Sequence, residues 1–159
     1  MKRYSAKQMI QQYGSPDAAI NAALEILRKQ MRQPGAALNS PATVLAYLRL
    51  NLISLEHEAF WCVWLDAQHR VIAAHEAFRG SISQTSVYPR EIAKQGLAVN
   101  AAAVIFAHNH PSGVAQPSQA DELLTRTLRD ALGLFDIKVL DHFIIGMDTS
   151  MSFAERGLI

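Results

Sequence analysis

The sequence of 159 residues contains a single cysteine, Cys62, which excludes an internal disulfide. Because Phe60, Trp61 and Trp64 surround it, we expect a buried thiol and a reducing compartment. No apolar run approaches the roughly 20 residues that a membrane span requires. The first residues also lack the apolar core of a secretory signal. These absences predict a cytoplasmic protein that does not enter the membrane.

Excess charge of one sign is also lacking, since the formal net charge is +1. Half of the residues are hydrophobic and 18% are charged, which is typical of a folded domain and argues against disorder. The charge is unevenly placed, because residues 1–33 contain six Lys or Arg and only two acids. A basic arm of this kind can bind phosphate backbones. It is more often a solvated helix face, so nucleic-acid binding is the weaker expectation.

The N-terminal part predicts one strong helix from Pro16 to about Arg32, with Ser15 as its N-cap. Gln33-Pro34-Gly35 ends this helix and is the best linker candidate, so the chain divides into a helical N-terminal extension, 1–36, and a domain, 37–159. A second helix is expected from Ser40 through Leu52. Ile20, Leu24, Leu27 and Met31 form an apolar stripe along the first helix. This stripe can pack either on the chain's own domain or on a second copy of the chain.

Beyond residue 57, runs of β-favouring residues alternate with helical segments. Helices are expected at 89–97 and from Ser118 to a C-cap at Gly133. The expected strands span 58–65, 71–78, 101–107, 137–140 and 143–145. The run at 101–107 is continuously apolar, as in a strand buried on both faces. This order predicts an α/β fold, a sandwich around one mixed sheet with the helical extension at its N-terminus.

A candidate metal site follows the buried strand. In extended backbone His108 and His110 project to one side, and the helix that begins at Ser118 returns Asp121 on its first turn. Three such ligands with an open fourth position are typical of catalytic zinc. A His-x-His pair alone is weak, and Ser118 with Asp121 is also a capping box. The combination of strand, turn and helix start favours the metal.

The motif resembles the JAMM (MPN+) metallopeptidase signature, since His108-x-His110-Pro111 is followed after six residues by Ser118-x-x-Asp121. Within that superfamily the chain resembles RadC-type proteins over roughly residues 40–159. Four segments carry this resemblance: Val87-Tyr-Pro-Arg-Glu-Ile92, His108-Asn-His-Pro-Ser-Gly113, Val139-Leu-Asp-His142 and Ser152-Phe-Ala-Glu-Arg-Gly-Leu158. It implies a mixed-sheet sandwich of the MPN/JAMM type, with a layout like that of cytidine deaminases.

The resemblance also implies a chemistry. His108, His110 and Asp121 would hold a Zn²⁺ ion, and Glu58 would be the general base that activates a water. The Ser118 hydroxyl would help to stabilise the oxyanion. The bond cut would be an amide in a peptide or protein substrate, either peptide or isopeptide.

Other polar residues compete for roles near this motif. Glu56 is the nearest competitor of Glu58 for the general base, and Glu76 is a weaker one. Asn109, between the two histidines, is expected to face the opposite side. His142 is expected to be a hydrogen-bonded histidine between strands and not a ligand.

Two other functions compete with a zinc-dependent hydrolase. One is a DNA-associated accessory protein of the RadC type without peptidase activity. Longer RadC-type members carry an N-terminal region that resembles a helix-hairpin-helix, whereas this sequence predicts one strong helix and no glycine-rich hairpin. The other is an interaction domain with structural zinc, which would need a fourth Cys or His near the motif. The substrate and the oligomeric state stay open.

Overall fold

The structure is a computed structural model that describes residues 5–32, 41–80 and 87–159. The predicted linker at 33–35 and the helix start at Ser40 lie outside the described residues. The elements are, in chain order, α1 (Ala6–Tyr13), α2 (Pro16–Arg32), α3 (Pro41–Leu52), β1 (Ala59–Leu65), β2 (Val71–Arg79), α4 (Pro89–Ala98), β3 (Ala103–Asn109), α5 (Gln119–Gly133), β4 (Lys138–Ile145) and β5 (Ser150–Ser152).

Within these residues the strands form one five-stranded sheet in the order β2-β1-β3-β4-β5. The central pair β3 and β4 is parallel and the other pairs are antiparallel, so the sheet is mixed as predicted. Every residue of β3 is buried, because helices cover both faces of the sheet. The predicted α/β sandwich is confirmed.

One face of the sheet packs against α2 and α3. Val44, Tyr47 and Leu48 of α3 are fully buried there against the odd-numbered side chains of β1 and β3. Of the predicted stripe on α2, Leu24 and Leu27 pack against this cluster, whereas 41% of Ile20 is exposed. The side chain of Met31 lies outside the described residues. The middle of the stripe therefore packs on the chain's own domain.

The opposite face packs against α4 and α5, and it carries the candidate site. Ile92 of α4 and Leu128 and Leu132 of α5 are fully buried against it. At Gly96 an added Cβ would lie 2.8 Å from the Trp64 ring, so the absence of a side chain lets α4 approach the sheet closely. This packing fixes where α5 begins relative to the end of β3.

The prediction of a single helix before residue 33 was wrong. Ser5 caps α1 in a reciprocal box, in which the Gln8 backbone N–H donates to Ser5 Oγ and Ser5 N–H donates to Gln8 Oε1. Gly14 ends α1 in the left-handed conformation, with φ of 84°, and leads directly into α2. The pattern Ser-x-x-Gln is the local signal that was missed. None of the helices in the described ranges combines the length and apolar character needed to cross a membrane.

Further boundaries differ from the predictions, two of them because polar side chains find partners inside the fold. The two closing strands are one strand, β4, since the Asp141 carboxylate at its centre accepts from Ser152 Oγ at 2.6 Å and from the Ala154 N–H at 3.0 Å. β3 extends two residues further, through His108 and Asn109. β5 was not predicted, and the last helical residue of α5 is Gly133 itself.

Candidate metal centre

His108 is the last residue but one of strand β3. It pairs with Phe60 of β1 in the antiparallel register, and its ring stacks on that of Phe60 with centroids 6.4 Å apart. Only 2% of His108 is exposed. The side chain is therefore held at the carboxyl end of a buried strand, on the face that α5 covers.

His110 follows in the turn after β3 and is held mainly by backbone groups. Its N–H donates to Ile145 O at 3.0 Å, and its carbonyl accepts from Gly113 N at 2.9 Å. Its ring Nδ1 lies 2.8 Å from Val114 O. Since alternate residues project to the same side, His110 Nε2 lies 3.0 Å from His108 Nε2. The predicted pairing of the two imidazoles is present.

Asp121 reaches the same point from the first turn of α5. Ser118 is the N-cap of that helix, and its Oγ accepts from the Asp121 N–H at 3.1 Å. The Asp121 carboxylate accepts from both the Ser118 N–H, at 2.8 Å, and the Ser118 hydroxyl, at 2.7 Å. The Asp121 carboxylate is therefore both a member of the capping box and a candidate metal ligand. Its Oδ1 lies 3.4 Å from His108 Nε2, and its Oδ2 lies 3.6 Å from His110 Nε2.

These three side chains suit a metal ion. Their ligand atoms all lie within 4.8 Å of one another. Ligands about 2.0–2.1 Å from a tetrahedral zinc would be about 3.3 Å apart. The nearest contacts between the side chains are 3.0, 3.4 and 3.6 Å, the last two made by different oxygens of Asp121, so the groups are near the spacing of a metal site. The Val114 carbonyl can only accept, so His110 Nδ1 carries a proton and the lone pair of its neutral ring is on Nε2. The donor set of two imidazoles and a carboxylate fits a divalent ion such as zinc.

The same contacts shift two pKa values. Burial pushes the pKa of Asp121 upward, but the contacts with His108, His110 and Ser118 outweigh it and hold the pKa far below its ordinary value of 3.8. The hydrogen bond to Asp121 raises the pKa of His110 above 6.5, against the opposing effect of burial. The cluster therefore attracts positive charge, whether a proton or a metal ion.

Glu58 stands immediately before β1, at the same end of the sheet. Phe60 lies opposite His108, and Glu58 shares the face of Phe60 because strand side chains alternate. Glu58 is half-buried, and its negative charge contributes to the raised pKa of His110. Glu58 therefore lies on the same face and at the same end of the sheet as the candidate ligands.

The two competing glutamates are placed differently. Glu76 lies opposite Trp61, on the other face of the sheet, and its carboxylate is 2.7 Å from Arg79 Nε. Glu56 is exposed and lines a cavity of about 460 Å³ that opens beside His110. The apolar residues Ile53, Leu55, Ile145 and Met147 form much of the rest of that cavity. Of the two, only Glu56 is near the site.

Asn109 and His142 support the site from behind. Asn109 is 3% exposed and faces away from the cluster, as expected. Its Oδ1 accepts from the Ala59 N–H at 2.8 Å, and its Nδ2 donates to His57 O at 2.9 Å. Asn109 therefore binds the backbone on both sides of Glu58. His142 of β4 is fully buried, and burial holds its pKa well below the ordinary value. Its Nε2 lies 2.8 Å from His108 Nδ1, which agrees with a hydrogen-bonded histidine.

A mixed-sheet sandwich with two histidines at a strand end and an aspartate at a helix start defines an α/β domain of the JAB/MPN superfamily. The chain belongs to the RadC family, since the family model described as a RadC-like JAB domain matches residues 38–158. JAB domains include metal-dependent hydrolases, and the cluster of His108, His110 and Asp121 is consistent with metal binding.

Several curated relatives share about half of their residues with this chain. It is 59% identical over 143 residues to a UPF0758 protein of Thiobacillus denitrificans, covering 88% of this chain and 64% of that protein. It is 54% identical over 145 residues to a UPF0758 protein of Nitrosomonas eutropha, covering 89% and 65% respectively. The match thus spans less than two thirds of the length of these relatives, and their names state no activity.

Proposed function

We propose that this chain is a zinc-dependent amide hydrolase in which His108, His110 and Asp121 hold the metal and Glu58 is the general base. The convergence of these three ligand atoms at one strand end is the observation that carries the proposal. The lone pairs of two Nε2 atoms only 3.0 Å apart beside a carboxylate repel one another, and a proton or a metal ion held there would relieve that repulsion. A bound zinc ion would lower the pKa of a coordinated water toward neutrality.

The remaining steps belong to the chain's own side chains. Glu58 accepts a proton from the attacking water and then delivers it to the amine that leaves as the amide bond breaks. Its position just before β1 is rigid because Asn109 fixes the neighbouring residues. Ser118 donates a hydrogen bond to the oxyanion, for which its hydroxyl must turn from the Asp121 carboxylate, its partner at 2.7 Å. The substrate would be a peptide or protein, with a peptide or an isopeptide bond.

The test measures metal binding and catalytic turnover separately. Elemental analysis of the purified protein should find one zinc per chain, and His108→Ala or Asp121→Ala should lose it. The zinc-loaded protein is then screened against peptide and isopeptide libraries by mass spectrometry. Glu58→Gln should keep zinc and lose turnover by about a hundredfold or more, which is typical of a general base.

Glu56→Gln is the matched control, because Glu56 is an exposed glutamate near the same site. It should keep both zinc and turnover. Loss of zinc in Glu58→Gln, or full activity of that variant, would overturn the assigned role. Cleavage that depends on Glu56 and not on Glu58 would move the base to Glu56.

A DNA-associated role without peptidase activity is the second candidate, and one observation favours it. α1 and α2 form a helical pair joined through Gly14, which removes one of the two sequence-based objections, that only one helix precedes residue 33. The other objection, the lack of a glycine-rich hairpin, stands. Lys7, Arg28 and Lys29 are exposed on this pair. Retention on duplex or single-stranded DNA that weakens steeply with salt would support this role. Absence of retention at low salt would eliminate it.

A further inference from the structure

We infer that His142 and Thr125 are positioning residues, which hold His108 in the tautomer whose unprotonated Nε2 faces His110 and Asp121. The inference rests on the metal site proposed above. It concerns a circuit through β3, β4 and α5 in which hydrogen bonds link the Asp121 backbone carbonyl to the side chains of Thr125, His142 and His108. His108 Nε2 in turn faces the Asp121 carboxylate.

The direction of the circuit is set at Thr125. Its Oγ1 lies 2.7 Å from the backbone carbonyl of Asp121, one helical turn earlier. Two oxygens at that distance need a proton between them, and the carbonyl has none, so Thr125 donates. The hydroxyl has only one proton and has thereby used it. Toward His142 Nδ1, at 2.6 Å, Thr125 can only accept, and Nδ1 must carry the proton.

The next contact follows from the first. His142 is fully buried, and its ring packs between Phe106 and Phe153 without a carboxylate in contact, so it is neutral. With the proton on Nδ1, its Nε2 has a lone pair. His108 Nδ1, 2.8 Å away, therefore donates to it. The lone pair of neutral His108 is then on Nε2, which points to Asp121 Oδ1 at 3.4 Å.

His110 reaches the same state by other means, since its Nδ1–H donates to the Val114 carbonyl at 2.8 Å. Both imidazoles thus present an unprotonated Nε2 to the ion, but only His108 depends on other side chains for it. Partners behind a ligand fix its tautomer and ring orientation, and their loss typically weakens metal binding by about 10–100-fold. Asp121 takes part twice, since its backbone carbonyl starts the circuit and its carboxylate lies opposite the unprotonated Nε2 of His108.

The test measures zinc affinity by competition with a chromogenic chelator at fixed pH. Thr125→Val keeps the shape and removes the hydroxyl, and His142→Phe keeps a ring and removes the acceptor. Both should weaken zinc binding about 10–100-fold. The conservative variants Thr125→Ser and His142→Gln supply the lost group again, so they should return to within about threefold of the wild type. Wild-type affinity in Thr125→Val would overturn the inference, as would the same loss in Thr125→Ser as in Thr125→Val.

A second measurement does not depend on zinc. In metal-free protein labelled with ¹⁵N-histidine, two-bond ¹H–¹⁵N spectra at high pH should show His108 protonated on Nδ1. Thr125→Val should reduce this preference. A wild-type His108 protonated on Nε2 would overturn the inference even if zinc binds. If the wild type binds no zinc, the proposed function fails, and the tautomer still decides the inference.

Discussion

The candidate site has an inner and an outer half that are built in different ways. The inner half consists of His108, Asn109 and His142, which are 2%, 3% and 0% exposed and are held by partners distant in the sequence. His108 and His142 contact each other, and Asn109 binds the backbone of residues 57 and 59. The outer half consists of His110, Ser118 and Asp121, which are held by backbone groups of a turn and by a helix cap. One half is part of the hydrophobic core, and the other lies at its surface.

This difference separates two properties of the site. The inner half forms only when the sheet and α5 are packed, so its geometry is as stable as the fold. The outer half depends on a few local hydrogen bonds in partial contact with water, so protons reach it more easily than they reach the inner half. Changes to the inner half should reduce the stability of the whole domain, whereas changes to the outer half should act more on metal binding.

Asn109→Leu should have the largest effect on the free energy of unfolding. The substitution removes partners from the Ala59 N–H and the His57 carbonyl in a buried setting, and unsatisfied groups of this kind cost about 1–3 kcal/mol each. We expect a loss of roughly 3 kcal/mol in urea unfolding. Turnover should fall as well, because Glu58 lies between the two released residues.

Asn51→Leu is the matched control for this prediction. Asn51 makes a single side-chain hydrogen bond, to Tyr47 O at 2.7 Å on its own helix, and is only half-buried. Its replacement should change the free energy of unfolding by about 0.5 kcal/mol or less. Equal losses in the two variants would show that the contacts of Asn109 with residues 57 and 59 add no more to the free energy of unfolding than the single hydrogen bond of Asn51.

Gly146→Ala should disturb the outer half with a smaller loss of stability. A Cβ at this position would lie 2.9 Å from Ala115 N and even closer to the Gly113 carbonyl, so the turn after His110 must move. Overpacking against backbone costs about 1–3 kcal/mol, and zinc affinity should fall because the Val114 carbonyl that orients His110 belongs to this turn.

Gly133→Ala provides the comparison, because a Cβ there meets no atom within 4 Å. Gly133 is the last residue of α5, so alanine should leave stability unchanged or raise it by up to about 1 kcal/mol. Zinc affinity should not change. Should Gly146→Ala bind zinc as tightly as Gly133→Ala, the turn would not be what positions His110.

Much of the outer half could be predicted from the sequence, because its signals are local. A strand followed by His-x-His, a turn and a helix start are all visible within residues 101–121. The mixed sheet and the sandwich also followed from the alternation of elements, whereas the order of the strands in the sheet did not. The roles of Asn109 and His142 could not be derived in this way, because their partners lie 50 and 34 residues away in the sequence.

The errors in the strands have the same physical origin. Hydrophobic patterning ends a strand at the first polar residues, and it therefore stopped β3 before His108 and divided β4 at Asp141. In the structure these polar groups find partners in other elements: His108 and Asn109 are buried, and the half-buried Asp141 accepts from Ser152 and Ala154. A polar residue that satisfies its hydrogen bonds across the sheet does not interrupt a strand, and sequence periodicity cannot identify such a partner.

The smallest effect that we expect is a pH dependence confined to the outer half. The folded pKa of His110 is raised above 6.5 by Asp121, so metal-free protein gains stability from this pair below pH 6.5 and loses it as the pH rises through the raised value. The pKa of Asp121 is lowered, so its contribution is present above pH 3.8 and is lost only in stronger acid. The interaction between His110 and Asp121 should therefore contribute its full stabilisation between pH 3.8 and pH 6.5.

Urea unfolding of the metal-free protein at pH 5.5 and pH 8.5 tests this dependence. The wild type should be less stable at the higher pH, by about 1 kcal/mol or less for a pair that is partly hydrated. Asp121→Asn should reduce the difference, since the amide carries no charge to hold the proton on His110. Zinc affinity should change in the opposite sense and increase with pH, because the ion must displace that proton. A wild type that gains stability toward pH 8.5 would show that His110 is neutral in the folded protein, and that the outer half is as insulated from water as the inner one.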